Sequence, residues 1–202
     1  MEDDAPEEEL TATPTGFVGR IETELLRNRK VLIFGEINDH LARDVCARLL
    51  LLADRDNSSP IDVYINSPGG HVESGDTIHD IVRFIRNDVA VNMIGTGWVA
   101  SAGAHIFLAG ARDRRFCLPN TRFMLHQPAG GTRGMAADIE IEAKEILRMR
   151  ERLVRIIAEE TGQSVERINK DIHRNHWMTA EEAIAYGMVQ SVIRDPRDIP
   201  QN

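Results

Sequence analysis

The sequence predicts an α/β protein in which a mostly parallel sheet is covered by helices and the βα alternation is followed by one long charged helix. Three observations predict this. Short apolar runs alternate with stretches whose apolar residues recur at helical spacing, turn-forming residues separate them, and from Met135 to Glu160 the pattern becomes one continuous amphipathic helix. At 202 residues and 42% hydrophobic content the chain can bury a core without disulfides or metals. The expected organisation is an acidic, disordered tail over 1–20, one domain over 21–194 and a polar tail over 195–202.

Val31–Phe34 is a continuous apolar run suited to a strand buried on both faces. Asn38 or Asp39 can cap the helix that follows, in which Leu41, Val45, Leu49 and Leu52 recur at helical spacing. Ile61–Ile65 alternates like a strand and leads into the turn Asn66-Ser-Pro-Gly-Gly70. Ile78, Ile81, Val82 and Ile85 mark a second helix, Val89–Ile94 a strand, Ser101–Ala109 a helix and Arg122–His126 a strand closed by Pro128. In the long helix Ile139, Ile146 and Leu153 stand seven apart, so its apolar side needs a partner, either another subunit or its own domain. Thr179-Ala-Glu-Glu182 is a capping box, and the short helix it opens stops at Gly187 before a strand over Met188–Ile193.

Glu2, Asp3, Asp4, Glu7, Glu8 and Glu9 supply most of the formal net charge of −8, which leaves the rest of the chain near neutral and without a basic stripe. Nucleic acid is therefore not an expected partner. Cys46 and Cys117 sit singly in apolar runs, as buried thiols of a reducing cytoplasm do, and the start lacks the basic and apolar stretches of a secretory signal. Val89–Ala111 carries no Asp, Glu, Lys or Arg, but four glycines and several polar residues interrupt it, so no membrane span is expected. Lys30, Lys144 and Lys170 follow Arg29, Ala143 and Asn169, so no phosphate-binding Gly-Lys pair exists. No metal spacing surrounds His173 and His176, and no cofactor is expected.

Serine catalysis needs an exposed hydroxyl, a base within reach and N–H donors for an oxyanion. Ser101 stands at a strand-to-helix junction among Gly97, Ala100, Ala102, Gly103 and Ala104, and Gly69-Gly70 can turn N–H groups outward. Alone, Ser101 reads better as an ordinary helix cap among small residues that serve close packing. His126 ends an apolar strand, a place where open sheets present ligand-facing side chains.

Taken together, Tyr64-Ile-Asn-Ser-Pro-Gly-Gly70, the segment 97–104 around Ser101, Arg115-Phe-Cys-Leu-Pro-Asn120, Met124-Leu-His-Gln-Pro128 and Ala180–Gly187 resemble, in order and interval, the proteolytic subunit family of the Clp protease (ClpP). The resemblance runs from about residue 22 to 194. It implies the ClpP/crotonase-like βα superhelix with a protruding handle helix, self-association into heptameric rings stacked as a tetradecamer, and hydrolysis of unfolded protein or peptide substrates delivered by a separate Clp-family ATPase, which docks near Tyr64. It makes Ser101 the nucleophile, His126 the general base, and the N–H groups of Gly70 and Ala102 the oxyanion hole.

Three departures stand out. The family's third catalytic member is an Asp in an Arg-Asp pair, and here the pair reads Arg174-Asn175, with Asp171 one turn earlier as a substitute of lower weight. Residues 14–23 do not follow the family's N-terminal pattern, and Trp98-Val99 is bulkier than usual before the nucleophile, which bears on pocket shape. Two other readings therefore stay open: a weakly active structural subunit partnering an active paralogue, and an acyl-CoA enzyme of crotonase type.

Overall fold

The computed structural model describes residues 17–131 and 133–201. Helix α1 (Phe17–Arg27) begins inside the stretch expected as a tail, so that expectation now concerns residues 1–16, which lie outside the described residues. Strands β1 (Lys30–Phe34), β2 (Ile61–Ser67), β3 (Val91–Ala100), β4 (Arg115–Cys117), β5 (Arg122–Leu125) and β7 (Ser191–Val192) pair in parallel, and β6 (His176–Met178) runs antiparallel to β5. Helices α2 (Asp39–Arg55), α3 (Val72–Ile85) and α4 (Ala102–Phe107) follow β1, β2 and β3 in turn, the alternation the apolar runs imply.

Alternation in β2 turns Ile61, Val63, Ile65 and Ser67 inward, against helices whose buried stripes include Val45, Leu49, Ile78 and Val82. The Asn38 side chain accepts from the Leu41 N–H and caps α2, as its position predicts. Strand β3 runs six residues past Ile94, further than the sequence suggests, because its second half binds β5 while its first half binds β4. A register shift between Ile65 and Ser67 accompanies this fork, and the fork delivers the chain to Ser101.

The two halves of the long helix α5 (Ala136–Thr161) treat its apolar side differently. Its second half folds back, burying Val154 and Ile157 in the core, while Ile139, Ile141 and Leu147 of the first half stay exposed. Helices α6 (Val165–Asp171) and α7 (Ala180–Tyr186) complete the chain, α7 opening on the expected capping box. The final residues are not a free tail: Ile199 buries against Ile94, Phe116 and Ile193, where Tyr64 also packs. No helix among the described residues is long and apolar enough to cross a membrane.

One charged cluster lies in the interior. Arg115 is fully buried, donates to the carbonyls of Gly110, Leu108 and Glu160, and pairs with the Glu160 carboxylate, which also accepts from Arg83 at 2.8 Å. It ties β4 to the end of α5. Glu160→Ala leaves that guanidinium without its counter-charge, and thermal or denaturant unfolding should show a loss of about 3–5 kcal/mol.

Candidate active site

Ser101 connects β3 to α4 with φ 55° and ψ −121°, a conformation that costs a non-glycine residue of order 1–3 kcal/mol and that the surrounding packing must hold. Its N–H donates to the Met124 carbonyl of β5 at 2.9 Å and its side chain makes no cap bond. The cap reading is thereby excluded. The hydroxyl instead meets His126 Nε2 at 2.7 Å, across 25 residues of sequence.

His126 follows the last residue of β5, and the neighbouring Gln127 N–H is anchored on the Ile172 carbonyl at 2.8 Å. Antiparallel pairing of Leu125 with His176 brings Asn175 alongside His126. Burial pushes the His126 imidazole below its ordinary pKa, and a hydrogen bond to the Asn175 side chain offsets part of that shift. An imidazole N–H donating to an amide carbonyl is the arrangement in which such a bond favours the protonated ring. Asp171 is engaged elsewhere: its carboxylate accepts from the Tyr186 hydroxyl at 2.9 Å and lies 3.4 Å from Arg167 Nε.

The Gly69-Gly70 turn presses against Ser101. A Cβ on Gly69 would lie 2.6 Å from the Ser101 Cβ, and one on Gly70 would lie 2.2 Å from the Ile37 carbonyl oxygen, so neither position admits a side chain. The Gly69 N–H is taken up by Ser67 Oγ at 3.1 Å, so of the pair only Gly70 has its N–H to offer. No turn, loop or cap bond claims the N–H of Gly70 or Ala102 among the described residues. Two other nucleophiles are silenced by burial, which raises the Cys46 thiol pKa and pushes Cys117 up to about 12. Among the described residues no group of three or more His, Cys, Asp or Glu is arranged to hold a metal.

A strained, uncapped serine hydrogen-bonded to a histidine beside free N–H groups can perform acyl transfer. Comparison with known proteins agrees: the family model for Clp protease matches residues 17–196. The chain belongs to the Clp protease family. It is 59% identical to ATP-dependent Clp protease proteolytic subunit 2 of Gluconobacter oxydans, over 98% of this chain and 90% of the relative. Proteolytic subunit 3 of Rhizobium etli is 53% identical over 98% of this chain and 100% of its own. The solved structure of an Asn→Asp mutant of ClpP1 from Listeria monocytogenes superposes with a TM-score of 0.82 at 53% identity, covering 89% of this chain and 99% of that one. This is a Clp-type serine protease subunit with the ClpP fold, and its relatives' names give no support to the acyl-CoA reading.

The Clp fold also brings together residues that sequence reasoning passed over. A cavity of about 50 Å³ beside Ser101 and His126 is lined by Asp76 of α3, His105 of α4 and Arg152 of α5. The one local signal was the interval of four from Ser101 to His105, one helical turn. Trp98 and Val99 do not shape this cavity: Val99 is buried, and Trp98 stacks on Trp177 at 6.4 Å, with Arg122 over the Trp177 ring.

Proposed function

We propose that Ser101, His126 and Asn175 form the catalytic set of this Clp protease subunit, with the N–H groups of Gly70 and Ala102 as its oxyanion hole. The contact of 2.7 Å between Ser101 Oγ and His126 Nε2 carries the reading. His126 takes the Ser101 proton as Oγ attacks the scissile carbonyl, and the N–H pair receives the charge on the carbonyl oxygen. The imidazolium then protonates the leaving amine, and the C–N bond breaks to leave an acyl ester on Ser101. Water, deprotonated by His126, hydrolyses the ester and restores the hydroxyl. Asn175 holds the ring through its carbonyl but supplies no charge to stabilise the imidazolium.

The exposed apolar first half of α5 suits a contact between stacked rings of the chain, heptameric as in the family, and residues 21–194 form the peptidase domain. A separate Clp ATPase delivers unfolded chains, in keeping with the missing phosphate loop. Buried free thiols fit a cytoplasmic setting.

Labelling by a fluorophosphonate, read by mass spectrometry, tests the site. The adduct is expected on Ser101. Because neutral His126 is the active form and burial lowers its pKa, labelling should be full at neutral pH and fall only as pH drops through a midpoint below about 6.5. No adduct on Ser101 of the assembled protein at any pH overturns the reading.

A further inference from the structure

The cavity beside Ser101 holds polar groups that acyl transfer does not use. Asp76, His105 and Arg152 arrive there from three helices, while Val72, Met149 and Ile156 make its lining otherwise apolar. Close packing of α3 on α4 permits the convergence: a Cβ on Gly75 would lie 3.1 Å from that of Ala102, the residue after Ser101.

His105 Nε2 stands 2.9 Å from Asp76 Oδ1, and Arg152 pairs with Asp76 Oδ2. His105 is 6% exposed and its ring lies flat against His79, with centroids 4.1 Å apart. Neither ring nitrogen of His105 has an aligned hydrogen-bond partner among the described residues, so the approach to Asp76 is close but not a made hydrogen bond. A buried polar group left unmatched calls for an explanation, and a ligand that completes it is one. Burial opposes the charge on Asp76, but His105 and Arg152 outweigh burial and hold its carboxyl below the usual range. The carboxylate has about four acceptor sites, and its two neighbours leave room for another donor.

Resting on the assignment of Ser101 as nucleophile, we propose that this cavity seats the side chain of the residue whose carbonyl is attacked, and that Asp76 with His105 selects there an apolar stem ending in an amide N–H donor. Glutamine is that side chain. Leucine fills the apolar lining but leaves the polar groups unmatched, and glutamate, of glutamine's shape, sets a carboxylate against Asp76. Lysine gains little, because Arg152 already neutralises the carboxylate.

The test uses short peptide boronic acids, identical except for a glutamine, glutamate, leucine or lysine side chain on the carbon bearing boron, competing with fluorophosphonate labelling of Ser101 in the assembled protein. Boron takes the Ser101 oxygen and the variable side chain enters the cavity. Glutamine should outcompete glutamate by about tenfold or more, the scale of one like-charge contact at a partly wet site. Within Asp76→Asn that ratio should fall below about threefold, and within Arg152→Gln, which strips Asp76 of its counter-charge, it should rise and lysine should gain. Ratios equal to wild type in both variants, or no competition by any boronate while Ser101 is still labelled, overturn the inference alone. Failure of wild-type Ser101 to label overturns the nucleophile assignment and this inference with it.

Discussion

Ser101→Ala is expected to bring peptide hydrolysis by the assembled protein down to background, and His126→Ala to do the same, because neither side chain has chemistry to perform without the other. In a serine protease the loss of one such member lowers kcat by about 10⁶, close to the loss on removing the whole set. The double variant should therefore be no worse than either single one, where independent sites would multiply their losses. Burial and the β5 pairing keep the hydroxyl and imidazole in place without substrate: the Ser101 N–H is bound to Met124 and the ring sits at 2.7 Å from Oγ. Turnover of a short fluorogenic peptide by the three variants checks this. Ser101→Ala retaining more than about 1% of wild-type turnover excludes Ser101 as the nucleophile, since residual catalysis without it should be far lower. Alanine also relieves little of the strain at φ 55°, so the fold around position 101 should persist.

Local signals carried the elements whose cause is local. The Asn38 cap, the capping box at Thr179 and the alternation in β2 form in the structure where residue type and spacing put them. What escaped depends on partners distant in sequence. β3 looks finished at Ile94 because Gly95 and Gly97 are poor strand material, and only β5 on one side and β2 on the other keep it extended to Ala100. The strand β6 is three residues long and exists through its pairing with β5, so no periodicity could announce it. Ile199 is one apolar residue in a polar end, and its burial is decided by the shallow cluster of Ile94, Phe116 and Ile193. The site divides in the same way. Ser101 and His126 were named through the ordered motifs around them, which encode the family, while their separation of 25 residues left their contact to the fold. Asp76, His105 and Arg152 belong to no motif and meet only because three helices converge.

Asn175→Asp is expected to raise turnover. Register supports the position, since β6 pairs with β5 so that Leu125 opposes His176, which puts the residue just before His176 beside the imidazole. With Asn the ring is oriented but the positive charge that forms on it during attack has no counter-charge. The reverse change in a serine protease with a buried Asp lowers kcat by about 10⁴, which bounds the gain from above. Asn175 is exposed, and water screens much of a charge placed there, so a rise of about ten- to a hundredfold is the expected scale. The substitution should also raise the His126 pKa and move the acid limb of the pH–rate profile upward, because a carboxylate favours the protonated ring more than an amide does. That shift separates an electrostatic gain from a merely structural one. Turnover unchanged or reduced, with the acid limb where the wild type has it, shows that Asn175 does not occupy the third catalytic position.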